Sequence, residues 1–214
     1  MKTGASKVFV ALTGTPSHGA DVGSLFPELN AALRDFIGQQ KMFFVATAPL
    51  AADGHVNVSP KGLDCLRILG PKTVAYVDFT GSGIETVAHL RENGRLTIMF
   101  CAFQGPPRIL RLRGRGQAIE PNDVEWDMHA GQLPQFDATR AIIVLHVEMI
   151  ADSCGYGIPL YEFKGDRTQL PAWCDRKGPE GIAEYKATKN RQSIDGLPGL
   201  KHFADRQTAD GQPT

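Results

Sequence analysis

The amino-acid sequence predicts a mostly β fold: six antiparallel strands forming a barrel, with short helices packed outside it. Three observations carry this. Six short segments are rich in β-branched and aromatic residues and are bounded by Gly, Pro, Asp or Asn. The helical segments between them do not alternate with the strands as a doubly wound parallel sheet requires. No internal repeat, low-complexity stretch or linker interrupts the chain. One domain is therefore expected over 24–200, between an arm at 1–23 and a polar tail at 201–214 that should fray.

Each element has its own signal. In the arm, Gly, Ser, Thr and Pro surround the run Val8-Phe9-Val10-Ala11-Leu12, an extended segment. Leu25, Leu29, Ala32, Leu33, Phe36 and Ile37 recur at helical spacing. This predicts a helix from Leu25 to Gln39, with Ser24 as N-cap and Pro27 in its first turn. The period then changes. Lys41 to Ala48 reads as a strand, Asp53-Gly54 as a turn, and Val56 to Pro60 as the returning strand of a hairpin. Gly70-Pro71 breaks the chain before the strand Thr73 to Phe79. Gly81-Ser82-Gly83 opens a helix that runs to Asn93. Strands follow at Arg95 to Phe103 and Arg108 to Ile119, a helix at Pro121 to Leu133, and a buried strand at Ala141 to Ile150. A loop at Gly155 to Pro159 leads to two helices, Leu170 to Arg176 and Pro179 to Arg191.

Composition bounds the function. With 214 residues, 42% hydrophobic and 21% charged, the chain has an ordinary globular make-up. Lys plus Arg and Asp plus Glu stand at 23 each, and a formal net charge of zero argues against a nucleic-acid partner. Cys65, Cys101, Cys154 and Cys174 form neither a metal motif nor a disulfide framework, so free thiols of a reducing compartment are expected. No apolar run is long enough for a membrane span, and Lys7 to Leu12 is too short for a signal peptide, which points to the cytoplasm.

Three stretches have side chains suited to binding. Asn57-Val58-Ser59-Pro60-Lys61-Gly62 ends a strand with a hydroxyl, a cation and a backbone that Pro60 takes out of the ladder. Such an edge can bond the polar rim of a flat ring and balance a phosphate charge; it also fits a plain strand exit. Asp78-Phe79-Thr80-Gly81-Ser82-Gly83-Ile84-Glu85-Thr86 carries three hydroxyls into a helix N-terminus, where free N–H groups favour phosphate. Its two glycines do not complete a dinucleotide fingerprint, and Ser82 alone fits a simple N-cap. Arg111, Arg113 and Arg115 share one strand face, where an anionic ligand, a partner subunit or water could meet them. His55, His89, His129 and His146 have no metal-site spacing, and no hydrolase or kinase motif is present.

Taken in order, these stretches resemble the pyridoxamine 5′-phosphate oxidase-related, FMN-binding split-barrel proteins. The likeness is good over 25–120 and looser through Ser153 to Pro159 and Lys189 to Gly199, where it resembles uncharacterised members of similar length. The resemblance implies a six-stranded antiparallel split β-barrel that binds FMN. It places Asn57, Val58, Ser59, Pro60 and Lys61 at the flavin, with Phe79 and Thr80 from the next strand, and Ser82 and Thr86 at the phosphate. Arg108 completes the set, with Arg111 as the alternative. It further implies a homodimer whose sites lie between subunits and a small-molecule substrate; Tyr156 and Trp173 are candidates to cap the ring. No metal is implied.

The chain departs from the oxidase proper. Ile84-Glu85-Thr86 stands where that enzyme has a Ser-Arg-Lys phosphate grip, Val56 stands where it has Arg, and the substrate arginines are not recognisable in Lys189 to Gly199. Phosphate neutralisation would then fall to Lys61 and Arg108 or Arg111. The expectation is a flavin-dependent oxidoreductase of unknown substrate, with Lys61 stabilising reduced flavin. The alternatives are an F420-dependent reductase or haem-handling protein of the same fold, and a flavin-binding module without turnover.

Overall fold

A computed structural model of the chain describes residues 23–204. The arm expected over 1–23 lies outside the described residues except for Gly23, as does the tail beyond Ala204. The described chain forms one curled, antiparallel sheet flanked by helices, a half-barrel. In chain order the elements are β1 (Leu25–Phe26), α1 (Ala31–Gln39), β2 (Phe43–Thr47), β3 (Asn57–Lys61), β4 (Leu66–Gly70), β5 (Thr73–Phe79), α2 (Glu85–Asn93), β6 (Arg95–Cys101), β7 (Ile109–Ile119), α3 (Trp126–Ala130), β8 (Thr139–Ser153), α4 (Gln169–Lys189) and α5 (Lys201–Ala204).

The six expected strands are all present, and two more join them. The sheet order is β3-β2-β6-β7-β8-β5-β4, with β1 paired to β8. β1 arises where a helix was expected. Leu25 and Phe26 pair with Ala151 and Ile150, and the helix starts only after Asn30. Asn30, not Ser24, is the N-cap: its side-chain oxygen accepts the Leu33 N–H at 3.0 Å. β4 was not expected; it folds back on β5 across Pro71-Lys72.

The core follows from the strand pattern. β2 alternates, turning Phe43, Val45 and Thr47 inward. In β5 the five residues Val74 to Asp78 are all buried, as are Arg140 to Leu145 of β8, because both faces of these strands are covered. The Phe43 ring packs edge-on to Tyr76 at 5.5 Å and tilted against Phe100 at 5.8 Å. Leu33 and Ile37 set α1 on this core. α2 ends at Gly94, whose left-handed φ of 68° suits a residue without Cβ, and the Gly94 N–H returns to the Leu90 carbonyl at 3.0 Å.

β7 and β8 form the longest pairing in the sheet, and it contains one bulge. Arg113 pairs with Met149 and Gly114 with Val147, so Glu148 is the extra residue. The backbones come so close there that a Cβ on Gly114 would stand 2.0 Å from the His146 carbonyl oxygen.

The C-terminal part differs in detail from expectation. Pro121 to Leu133 is helical only over α3. The two helices expected between Leu170 and Arg191 are both present, numbered together as α4 and separated by the non-helical Gly178 (φ 62°, ψ 174°) ahead of Pro179. The residues after Leu200 do not fray at once. In α5, Lys201 bonds Asp123 at 2.6 Å and its N–H donates to Glu120, while Phe203 packs against the core. Cys65, Cys101 and Cys174 are buried thiols and Cys154 is an exposed one. No helix among the described residues is long and apolar enough to cross a membrane.

Candidate flavin site

β3 is one of the two terminal strands in the sheet order, and its alternation decides what it presents. Asn57, Ser59 and Lys61 are half-buried, whereas Val58 and Pro60 are exposed. The inward row is fully bonded. The Asn57 amide nitrogen donates to Thr86 Oγ1 at 3.1 Å and to Thr47 Oγ1 at 3.3 Å. Ser59 Oγ donates to Asn57 Oδ1 at 3.2 Å. Thr47 Oγ1 lies 2.9 Å from His89 Nδ1, and burial lowers the His89 pKa, which favours the neutral ring. His89 Nε2 is buried without a hydrogen-bond partner among the described residues.

At the far end of the strand the curl of the sheet becomes chemically important. Lys61 on β3 reaches Asp78 on β5, five places away in the sheet order, at 2.7 Å. The other oxygen of Asp78 accepts Arg140 Nε at 2.7 Å. Arg140 also donates to the Gly81 carbonyl at 3.1 Å, which the Asn190 amide meets from the other side at 2.8 Å. Asp78 is wholly buried. Burial pushes its carboxyl up, but the charges of Arg140 and Lys61 outweigh that and hold it at about 2. The result is a buried carboxylate between two cations, carrying one net positive charge. Lys61 also lies 5.8 Å over the Tyr76 ring.

The remaining expected residues divide into three places. Phe79 packs edge-on to Phe136 at 4.8 Å, and Thr80 is buried with its hydroxyl donating to the Ala138 carbonyl at 2.8 Å. Ser82 is exposed and does not cap α2, whose N-cap residue is Ile84 with no side-chain cap bond. Thr86 belongs to the Asn57 cluster. The two arginines stand apart from it. Arg108 is bound to Asp152 at 2.7 Å and lies over the rings of Phe26 and Phe36. Arg111 donates to Ser153 Oγ at 2.9 Å. It lies in one row with Met99, Phe44 and Pro60 on the outward face of the sheet. Trp173 packs on Tyr185 within α4, and Tyr156 is 78% exposed.

The mouth of α2 is acidic. Glu85 Oε1 accepts the Ile194 N–H at 3.3 Å, and Asp195 clasps His55 at 2.6 Å, a hydrogen bond that raises the His55 pKa. Arg140, Asn190 and His89 were not anticipated from the sequence. The signal for the first was Asp78 itself: an acid at an inward position of an apolar strand requires a buried cation.

An antiparallel half-barrel whose edge strand carries a bonded row of amide, hydroxyl and ammonium groups defines a split-barrel protein. The family model and a curated relative agree. The family model described as pyridoxamine 5′-phosphate oxidase matches residues 29–154. The "Pyridoxamine 5′-phosphate oxidase family protein ustO" of Aspergillus flavus is 41% identical over 198 residues, covering 85% of this chain and 79% of that protein. Among solved structures, HupZ of Group A Streptococcus is 23% identical with a TM-score of 0.43, covering 56% of this chain and 90% of that one. HutZ, the haem storage protein of Vibrio cholerae, is 16% identical with a TM-score of 0.41, covering 60% and 98%. An FAD-binding protein of Mesorhizobium loti is 13% identical with a TM-score of 0.42, covering 58% and 94%. The chain belongs to the pyridoxamine 5′-phosphate oxidase family.

Proposed function

We propose that this chain binds FMN along β3 and works as an FMN-dependent oxidoreductase in a homodimer. The observation that carries the reading is the row Asn57, Ser59 and Lys61 on the edge strand. Each of the three is already held by a protein partner, so the row is ordered before a ligand arrives. FMN, when bound, supplies the redox chemistry, and the protein supplies position and charge. Asn57, Ser59 and the backbone of Val58 and Pro60 would meet the flavin's polar groups. Lys61 would set a positive charge where reduced flavin carries a negative one. Ser82, exposed ahead of α2, would be the hydroxyl able to meet the ligand, whereas Phe79, Thr80 and Thr86 are packed or bonded within the protein and would support the site from behind.

The phosphate is the part of FMN least provided for. Glu85 and Asp195 at the mouth of α2 disfavour a dianion there. Lys61, set at the ring, would not also reach the phosphate at the other end of the molecule, so neutralisation there would fall to an arginine. Arg108 is committed to Asp152. Arg111, whose one hydrogen bond among the described residues is to the Ser153 hydroxyl, would be the arginine to serve a site shared with a second copy. The exposure of Leu25, Val58 and Met149 on or beside that face supports such a dimer.

Titrating the protein with FMN and following flavin fluorescence tests the reading. Saturable quenching is expected, and Lys61→Met should raise Kd by about tenfold or more, roughly 1.4 kcal/mol. Lys61→Arg should restore most of the affinity. Absence of quenching, or equal affinity in the Lys61→Met variant, would remove Lys61 from a flavin site. Anaerobic bleaching of bound FMN by NAD(P)H separates turnover from storage, and light scattering gives the oligomeric state.

A further inference from the structure

Of the three charges joined at Asp78, a ligand can meet only one. Asp78 and Arg140 are buried, whereas Lys61 lines a cavity of about 970 Å³ that neither of the other two reaches. Whatever sits at the end of β3 therefore faces the Lys61 ammonium, with the carboxylate and the guanidinium behind it.

The charge this ammonium offers depends on what stands behind it. Lys61 Nζ donates to Asp78 Oδ1 at 2.7 Å, and Arg140 Nε donates to Asp78 Oδ2 at 2.7 Å, so the two cations sit on opposite oxygens of one carboxylate. Lys61 and Asp78 alone would be a neutral pair, and the lysine's charge would be cancelled at its own partner. Arg140 neutralises the carboxylate instead and leaves the ammonium charge uncompensated. No other carboxylate forms an ion pair with Lys61 or Arg140 among the described residues.

Neighbouring groups do not disturb this count. Cys65 and Tyr76 lie near enough to feel Asp78. Burial pushes the Cys65 thiol up to about 12 and the Tyr76 hydroxyl well above its usual value, so both are neutral. Lys186, whose charge bears on Arg140, donates to the Thr139 carbonyl at 3.0 Å; burial, and then the charge of Arg140, lower its pKa. The guanidinium is further fixed by the Gly81 carbonyl, which it shares with Asn190. Buried charges at this range are little screened by water, so removing one changes what the ligand feels.

We propose that Arg140 is a positioning residue for the flavin: by neutralising Asp78 it leaves Lys61 its full positive charge toward the ring, and so favours reduced over oxidised flavin without touching it. The inference rests on the flavin reading of β3 and adds to it the residue that sets the charge there.

Equilibrating the FMN-loaded protein with a redox dye tests this. Arg140→Gln keeps a hydrogen-bond donor and brings the net charge of the group from one to zero. It is expected to hold reduced FMN, relative to oxidised FMN, about tenfold less tightly, a fall of about 30 mV in the two-electron potential. Arg140→Lys should restore the potential. Asp78→Asn combined with Arg140→Gln returns the net charge to one and should bring the potential back as well, although two buried side chains have changed. Mere distortion of the site would be compounded in the double variant, not reversed. Should Arg140→Gln fail to fold, the same step is read between the double variant and Asp78→Asn, whose net charge is two and whose potential should be the higher. An unchanged potential in Arg140→Gln, or a double variant that stays low, would overturn the inference while FMN binding stands. No FMN bound by the unaltered protein would overturn the flavin reading, and this inference with it.

Discussion

Replacing Asp78 by Ala is expected to lower stability by about 3–5 kcal/mol, because it leaves Lys61 and Arg140 facing each other without the carboxylate between them. Arg140 is 5% exposed in its side chain and Lys61 15%, so water cannot replace the lost partner cheaply. For a chain of this length the loss corresponds to a fall in Tm on the order of 10 °C by calorimetry. A variant melting within about 2 °C of the unaltered protein would show the triad to be energetically idle. The same carboxylate sets an acid limit. Its pKa is held at about 2, below the ordinary value of about 3.9. Its contribution is therefore complete above the ordinary value and disappears as pH falls from there through 2. An acid titration of Tm should lose part of its slope in the Asp78→Ala protein.

Gly114→Ala is expected to be nearly as damaging, at roughly 3 kcal/mol or more. The added Cβ would stand 2.0 Å from the His146 carbonyl oxygen and 2.9 Å from the Glu148 nitrogen, both backbone atoms that cannot rotate away. β7 and β8 must part at the bulge to accept it. Gly157→Ala is the control, because nothing lies within 4 Å of a Cβ there. Urea midpoints compare the two, and hydrogen exchange should show new opening over β7 and β8 in the Gly114 variant alone. Equal midpoints would mean that the bulge has slack.

What could be read before the structure was mostly local. Thr73 to Phe79 was located to the residue because Gly70-Pro71 and Thr80-Gly81 punctuate it. β3 was located as a strand end, but its inward residues were not separated from the outward Val58 and Pro60. Leu66 to Gly70 escaped because all five residues are equally half-buried and show no period. Leu25 and Phe26 fit the helical spacing of the following residues, but their partners lie at Ala151 and Ile150, far along the chain. The site divides in the same way. Asn57, Ser59 and Lys61 were legible as a strand end. The positions that hold them were not, because Arg140 meets Asp78 across 62 residues of sequence and Asn190 meets Gly81 across 109. Ser82 was a reasonable cap by type, yet the helix begins two residues too late for it.

β8 has a consequence for how the molecule is made. It pairs with β1, β7 and β5, all of which precede it in the chain. Without it the sheet order separates into β3-β2-β6-β7 on one side and β5-β4 on the other. During synthesis the two fragments must wait, edges open, until Thr139–Ser153 has left the ribosome and can zip them together. The nascent chain is therefore most exposed to chaperones and to wrong partners just before its last strand arrives.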